Sequence, residues 1–309
     1  MASGEPGPVW AEYFADPFVH RRADGRYVAV GTEEEAPEGG RVFPMLESDD
    51  LRRWRARGRA LERVDPGLGE AYWAPEIIEA DGEWWMYYSV GRNIHGHHLR
   101  VARSPAAFGP YIDTGTVLTP EERFAIDAHP FQDADGTRYL YFARDVLDAE
   151  RPGTHLAVAE MEGMQRFAAP PVRVLAPWSD AQIYERNRSM YGRSWDWHTL
   201  EGPSVVRRHG RYWMTFSAGA WTGPGYAVTW AVADHPLGPW EPAPDTTPPL
   251  LASDGVLVGP GHNSLTTAPD GGDVIVFHSW DAARARRSMH VRRIDFTPMG
   301  PRLGGAMGE

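Results

Sequence analysis

The chain has 309 residues with 31 basic and 42 acidic side chains, so its formal net charge is −11. A strongly acidic surface repels phosphate backbones, which argues against a nucleic-acid partner. Cysteine is absent, and every basic residue is an arginine. The composition therefore excludes disulfides, cysteine-ligated zinc, a thiol nucleophile, Schiff-base chemistry on lysine and a phosphate-binding P-loop lysine.

The N-terminus and the hydropathy pattern bear on localisation. The first eight residues have neither the basic start nor the apolar run of a signal peptide. No apolar stretch approaches the 18 residues or so that a membrane-spanning helix needs. We therefore expect no contact with a membrane and a cytoplasmic location, or secretion where a leader precedes this sequence.

One pattern recurs five times along the chain: a polar turn that contains glycine, followed by a run of aromatic and β-branched residues. Asp-Gly between two apolar runs is a strong signal for a β-hairpin. The glycines of these turns are Gly25, Gly82, Gly136, Gly210 and Gly271. Repeating units of about 45 to 60 residues with three or four strands have the size of propeller blades.

The repeat predicts an all-β fold, a five-bladed β-propeller that forms a single domain over residues 1–309. The expected blades cover approximately residues 14–60, 72–118, 126–175, 200–250 and 260–302. A β-sandwich with regular hairpins is the alternative architecture. Residues 178–200 lie outside the repeat and are rich in aromatic side chains. Because long connections in compact domains are usually functional or disordered, we expect an ordered, functional loop there.

The residues nine positions before the turn glycines are unusual for strand starts. They are Asp16, Trp73, Asp127, Glu201 and His262. An equal offset in a repeating unit is an equivalent place in each blade, so the five side chains should surround one axis. Carboxylates are costly to gather or bury, although aspartate also caps turns. Three acids beside tryptophans fit glycoside hydrolysis, which needs one protonated and one ionised carboxyl.

Five short segments around these positions also carry a family resemblance. They are Phe-Ala-Asp-Pro at 14–17, Tyr-Trp-Ala-Pro-Glu at 72–76, Ile-Asp-Ala-His-Pro-Phe at 126–131, Leu-Glu-Gly-Pro at 200–203 and Gly-Pro-Gly-His-Asn-Ser at 259–264. In this order they resemble glycoside hydrolase family 43. The resemblance implies a five-bladed propeller with an inverting mechanism. It implies that Asp16 is the general base, Asp127 the orienting and pKa-modulating acid, and Glu201 the general acid.

The resemblance extends to residues outside the three acids. His262 matches an axial histidine that often lies near a structural calcium ion or a water cluster, and a hydrogen-bonded histidine without metal is the alternative. Arg287 matches an arginine that reaches the substrate, unless it is a solvated charge on the rim. Apart from the resemblance, Trp73 is the expected sugar platform, and His278, just after the apolar run of blade five, is a further candidate substrate contact. Trp221 and Trp195 are candidate contacts at the rim, and a packing role is the alternative for both.

The predicted activity is hydrolysis of terminal pentofuranose or pentose residues from plant-type polysaccharides or oligosaccharides, with no cofactor in the chemistry. The main hypothesis is an α-L-arabinofuranosidase, and a β-xylosidase or galactofuranosidase of the same family is the alternative. Some β-xylosidases of the family carry an additional β-sandwich that has no counterpart here, so we expect the segment before Glu201 to supply that wall. A retaining fructan-hydrolase type, which usually has Asn where Ala15 stands, and a non-catalytic carbohydrate-binding propeller are further alternatives.

Overall fold

The structure is a computed structural model that describes residues 7–35 and 38–306. Four sheets contain the strands of these residues, and the strands follow one another in five groups, here called blades 1 to 5. The first two blades are four-stranded antiparallel meanders. Blade 1 contains β1 (Ala15–Arg21), β2 (Tyr27–Thr32), β3 (Val42–Ser48) and β4 (Trp54–Leu61). After a 3-10 helix (Pro66–Leu68), blade 2 contains β5 (Ala71–Ala80), β6 (Glu83–Arg92), β7 (His95–Ser104) and β8 (Ile112–Val117).

Blades 3 and 4 share one sheet, because β11 and β15 pair in parallel. Blade 3 contains β9 (Ala125–Gln132), β10 (Arg138–Val146) and β11 (Gly153–Glu162), with β12 (Arg166–Phe167) and β13 (Val172–Leu175) both paired to β11. A second 3-10 helix (Asp180–Gln182) precedes blade 4. Blade 4 contains β14 (Ile183–Met190), β15 (Arg193–Arg208), β16 (Arg211–Ala218), β17 (Ala227–Ala233) and β18 (Glu241–Pro242). Blade 5 contains β19 (Val258–Thr267), β20 (Asp273–Trp280), β21 (Arg287–Thr297) and β22 (Gly300–Ala306).

The five predicted glycine turns join the first two strands of the repeat in every blade. All five turn glycines have φ between 78° and 91°, in the left-handed region that glycine enters without a Cβ clash. The segment expected to be a loop, residues 178–200, differs from the prediction. It contains the second 3-10 helix and a hairpin of β14 with the first half of β15. The long β15 then continues into the centre of the molecule.

Neighbouring residues of the central strands pack into different cores. Tyr87 belongs to the apolar cluster between blades 2 and 3, whereas Tyr88 belongs to the cluster between blades 1 and 2. Tyr141 and Phe142 divide in the same way between the two sides of blade 3. Because side chains alternate along a strand, a run of apolar residues signals a blade that is covered on both faces. Further clusters lie between blades 4 and 5 and between blades 5 and 1.

The innermost strands close a ring, which confirms the predicted five-bladed propeller. β1 contacts β5 and β19, β5 contacts β9, β9 contacts β15, and β15 contacts β19. The segment before β1 reinforces the closure, because the Val9 amide donates to the Met289 carbonyl at 2.9 Å and the Phe14 amide donates to the Arg287 carbonyl at 2.9 Å. Within residues 7–35 and 38–306, no helix has the length and apolar character needed to cross a bilayer.

Each innermost strand is interrupted by a bulge near the predicted axial position. The pairing registers shift between Ala15 and Phe18 in blade 1 and between Glu201 and Ser204 in blade 4, and comparable shifts occur in the other blades. A bulge inserts an unpaired residue and re-aims its side chain. The equal offsets counted in the sequence therefore correspond to equivalent bulges around the axis.

Candidate active site

The three predicted catalytic acids line one cavity of about 310 Å³ at the axis of the propeller. Asp16 comes from β1, Asp127 from β9 and Glu201 from β15, so three different blades supply them. The other described residues of the wall are Tyr13, Thr32, Glu33, Glu34, Trp73, Ile94, Ile126, Trp221, Tyr226, His262, Trp280 and Arg287. The three acids therefore converge on one cavity, as the sequence predicts.

Asp16 is held by contacts that favour its ionised form. Its Oδ1 lies 3.4 Å from the nearest guanidinium nitrogen of Arg287 and 3.4 Å from Nδ1 of His262. Burial alone would raise the pKa of Asp16, but the imidazoles, the guanidinium and a hydrogen bond from Thr32 outweigh burial and lower the pKa to about 2. Burial also lowers the pKa of His262, so Arg287 is the permanent positive charge. Asp16 is therefore a carboxylate at neutral pH.

Glu201 has the opposite electrostatic environment. Burial and the nearby Asp16 carboxylate raise its pKa to about 7, against the effect of the Tyr226 hydroxyl, which donates to Oε1 at 2.6 Å. The ring of Tyr226 is 1% exposed and stacks on His278 at 6.0 Å between centroids. About half of the Glu201 carboxyls are therefore protonated at pH 7, and more of them below it, while Asp16 is ionised.

Asp127 contacts the strand that carries Glu201. Its Oδ2 accepts a hydrogen bond from the Gly202 amide at 2.9 Å. Burial, followed by the negative charge of Glu201, raises the pKa of Asp127 well above its usual range. Gly202 has φ of 58°, and a Cβ at this position would lie 3.2 Å from the ring of His262. A side chain at this position would strain β15 where it bends past the axis, directly after the acid.

Arg287 connects Asp16 to the aromatic part of the wall. Its guanidinium donates to the Tyr13 hydroxyl at 2.6 Å and lies 4.5 Å above the ring of Trp221. Trp221 in turn stacks on Trp280 at 6.0 Å with an angle of 15° between the rings. The structure thus places Arg287 and Trp221 on the cavity wall, where substrate contacts were expected. A guanidinium held by ring faces is well oriented to bind the hydroxyl groups of a sugar.

The remaining predicted contacts differ in their placement. Trp73 lines the cavity and stacks on the ring of His97 at 3.7 Å, which fixes its orientation. Trp195 is not among the residues that line the cavity, and its indole donates to the Met190 carbonyl at 2.8 Å within the β14–β15 hairpin. His278, expected to contact substrate, is fully buried behind Asp16 and accepts a hydrogen bond from the Asp16 amide at 3.0 Å. It therefore contacts the acid rather than the cavity.

His262 is buried at the floor of the cavity between two acids. Its Nδ1 lies 3.4 Å from Oδ1 of Asp16 and 3.9 Å from Oδ2 of Asp127. Calcium takes six to eight oxygen ligands, which an imidazole and two carboxylates do not supply. In the part of the chain that the structure describes, no group of three or more His, Cys, Asp or Glu side chains is arranged to hold a metal. A calcium ion near His262 stays a prediction, and the chemistry proposed below uses none.

A smaller cavity of about 60 Å³ adjoins the first on the side of Glu201, with Trp73 and Trp221 shared between the two walls. The β14–β15 hairpin contributes Arg188 to it, and the guanidinium lies 4.8 Å from the ring of Tyr184. Residues of the segment before Glu201 therefore form a wall next to the acid. That segment does so as a strand pair rather than as a loop.

A buried, hydrogen-bonded pair of side chains, Glu76 and His129, lies outside the cavity. Nδ1 of His129 is 2.7 Å from Oε2 of Glu76, and Nε2 of His129 accepts a hydrogen bond from the Val205 amide at 3.0 Å. Glu76 and His129 occur in the segments quoted for the family resemblance, but we assigned them no role from the sequence. Tyr13 and Tyr226 were also missed. They face the acids only through the packing of distant segments, and no local pattern marks them.

An axial cavity that gathers an ionised carboxylate and a protonated carboxyl, with aromatic walls, defines a glycoside hydrolase. The comparison with protein families agrees with this class. The model for glycosyl hydrolases family 43 matches residues 6–300. The chain belongs to this family and is an inverting glycoside hydrolase that acts on carbohydrate, as the sequence predicted.

Several characterised proteins are similar to the chain over most of their length. An extracellular exo-α-(1→5)-L-arabinofuranosidase of Streptomyces chartreusis is 29% identical, covering 86% of this chain and 79% of the relative. A β-D-galactofuranosidase of Aspergillus niger is 29% identical, covering 95% of this chain and 82% of the relative. The crystal structure of a thermostable family-43 glycoside hydrolase superposes with a TM-score of 0.83 at 28% identity, covering 99% of this chain and 97% of the other.

Proposed function

We propose that the protein is an exo-acting α-L-arabinofuranosidase that removes terminal arabinofuranose residues by a single displacement. The observation that carries the proposal is that two carboxyls with contrasting electrostatic environments, Asp16 and Glu201, line one cavity of about 310 Å³. A cavity of this size has room for one sugar residue and a water molecule. The similarity to the Streptomyces chartreusis arabinofuranosidase supports the choice of sugar.

Asp16 would act as the general base. Its carboxylate takes a proton from a water molecule while the water oxygen attacks the anomeric carbon. The pKa of about 2 leaves this group ionised across the working range. Arg287 holds the other side of the carboxylate, so that the base keeps one orientation during the reaction.

Glu201 would act as the general acid. Its carboxyl proton passes to the glycosidic oxygen as the bond to the anomeric carbon breaks, so the leaving group departs as a neutral alcohol. The raised pKa, about 7, leaves the proton available for transfer at neutral and mildly acidic pH. Asp127 holds the Gly202 amide and so orients the segment that carries Glu201. After turnover, a proton moves from Asp16 to solvent and another from solvent to Glu201.

A β-D-galactofuranosidase is the second candidate, because the Aspergillus niger relative matches 95% of this chain at the same identity. Nitrophenyl arabinofuranoside, galactofuranoside and xyloside, assayed side by side, separate the candidates by their kcat/KM values. NMR of the first product reports the anomer. Inversion supports the proposed mechanism, and a retained anomer contradicts it.

Two variants test the assigned roles. Asp16→Asn and Glu201→Gln should each lower kcat on a saccharide substrate by about 100- to 10,000-fold while the sugar still binds. Asp234→Asn is the control, because this acid is 84% exposed and pairs only with Arg211 among the described residues. If both cavity variants keep full activity, the roles proposed here are wrong. If the parent enzyme binds sugars and hydrolyses none of them, the carbohydrate-binding alternative is favoured.

The cellular location is a separate question. The sequence predicts a cytoplasmic protein, whereas the Streptomyces chartreusis relative is extracellular by its name. We propose the cytoplasmic location, and activity measured in separated culture medium and cell lysate tests it.

A further inference from the structure

The backbone around Glu201 is held by side chains rather than by regular strand pairing. β15 pairs with β16 at Glu201 and Ser217, and the pairing resumes only at Ser204 and Thr215. On the other side, the amides of Gly202 and Val205 donate to two side chains of β9. The segment that carries Glu201 therefore depends on its neighbour in blade 3 for its position.

The two side chains of β9 bracket the bulge. Asp127 accepts from the Gly202 amide at 2.9 Å, one residue after Glu201. His129 accepts from the Val205 amide at 3.0 Å, at the point where the regular pairing has resumed. A hydrogen bond on each side of a bulge fixes both its displacement and its rotation. The two bonds together thus hold the backbone that carries Glu201, while the Tyr226 hydroxyl holds its carboxyl.

The Val205 amide also fixes the protonation of His129. Because an N–H can donate only to a lone pair, Nε2 of His129 is unprotonated and the ring proton is on Nδ1. That proton points to Oε2 of Glu76, 2.7 Å away. Glu76 belongs to β5, so the chain of hydrogen bonds crosses three successive blades, from β5 through β9 to β15.

Neither Glu76 nor His129 lines the cavity, and both are at least as buried as the catalytic acids. Each is 6% exposed. Burying a carboxyl is costly unless it forms specific hydrogen bonds, so a buried pair without contact to the substrate requires another explanation. The hydrogen bond to Val205 supplies one, because it connects the pair to the strand of the acid.

We propose that Glu76 and His129 are positioning residues that hold the Glu201 segment of β15 in line with the leaving-group oxygen. This inference rests on the proposed role of Glu201 as the general acid. Removing the imidazole frees the Val205 amide and one side of the bulge. A displacement of about 1 Å in a catalytic group costs on the order of 100-fold in rate. The loss should appear in proton donation and much less in the binding of the sugar.

A series of aryl glycosides separates this role from a general structural one. A dinitrophenyl group leaves without help from an acid, whereas a phenyl group or a sugar requires the proton of Glu201. His129→Ala should lower kcat on the phenyl glycoside and the disaccharide by about 100-fold, and on the dinitrophenyl glycoside by less than about 3-fold. Glu76→Ala should behave in the same way, whereas Glu76→Gln, whose amide oxygen still accepts from Nδ1, should recover most of the loss.

Two further variants make the outcomes distinguishable. Glu201→Gln sets the leaving-group dependence expected when acid catalysis is lost. His155→Ala removes another fully buried histidine, one that bonds the Arg151 carbonyl and does not line the cavity. Suppose that kcat of Glu201→Gln depends steeply on the leaving group, whereas His129→Ala and Glu76→Ala lose kcat evenly across the series. That result overturns this inference and leaves the role of Glu201 intact. No dependence in Glu201→Gln overturns the proposed role of the acid itself. If His129→Ala does not fold, the comparison of Glu76→Ala with Glu76→Gln decides.

Discussion

Replacing Tyr226 by phenylalanine should extend activity to higher pH. The hydroxyl donates to Oε1 of Glu201 at 2.6 Å, and this bond stabilises the ionised form of the acid. Burial raises the pKa of Tyr226 well above its usual range, so the hydroxyl keeps its proton throughout the working range. The variant removes one donor and leaves the ring, which stacks on His278, in place.

The size of the shift follows from the strength of the bond. A hydrogen bond to a charged group contributes about 1.5 to 3 kcal/mol, and one pKa unit corresponds to about 1.4 kcal/mol. Loss of the Tyr226 bond should therefore move the basic limb of kcat/KM upward by about 1 to 2 pH units. The direction is upward because the ionised carboxylate loses more from the deletion than the neutral acid does.

The assay is kcat/KM against pH on a nitrophenyl furanoside, with the reaction stopped in base before absorbance is read. Tyr111→Phe is the matched control, since its hydroxyl is fully buried in blade 2 and donates to the Ala107 carbonyl at 3.0 Å. The control should keep the basic limb of the parent enzyme. A basic limb that stays in place or moves downward in Tyr226→Phe would refute the assignment of that limb to Glu201.

Three further predictions concern the walls and the floor of the cavity. Arg287→Met removes the guanidinium that helps to lower the pKa of Asp16, so the acid limb of kcat/KM should move to higher pH, and an unmoved limb counts against this pairing. Gly202→Ala places a Cβ 3.2 Å from the His262 ring at a residue with φ of 58°. The free energy of unfolding, measured by chemical denaturation, should fall by about 1 to 3 kcal/mol, and an unchanged value contradicts the strain. Deleting residues 186–195 should raise KM for the saccharide substrate, and an unaffected KM means that the hairpin forms no part of the binding site.

The fold was predictable because its signals are local. An Asp-Gly turn and a run of β-branched and aromatic residues specify a hairpin within about ten positions of the chain. Tyr87 and Tyr88 show how such a run is accommodated, since adjacent residues enter different cores on the two faces of a blade. The equal offset of the acids from Gly25, Gly136 and Gly210 was informative for the same reason, because repetition of one unit converts a position in sequence into a position around an axis.

The rest of the site depends on distances that the sequence does not encode locally. Tyr226 reaches Glu201 from a neighbouring strand connection, and Tyr13 reaches Arg287 across 274 residues of chain. His278 was expected on the wall because it follows the apolar run of blade 5, but its ring accepts a hydrogen bond from the Asp16 amide and is covered. The β14–β15 hairpin has no Asp-Gly signal, and its strands contain mostly charged and polar side chains at exposed positions. Sequence patterns of this kind indicate a loop as readily as a hairpin.

Backbone strain at the axis falls on residues whose side chains line the cavity. Asp16, Asp127 and His262 have φ of 49°, 60° and 41°, although non-glycine residues enter this region at a cost of about 1 to 2 kcal/mol each. In blades 2 and 4 the residue with positive φ is the one after the axial side chain, Ala74 after Trp73 and Gly202 after Glu201. A fold that needed only stability would place glycine at all five. Four of the five carry another residue, and at three of these the bend that strains the backbone also aims a carboxyl or an imidazole at the axis. The apolar cores between the blades offset the cost.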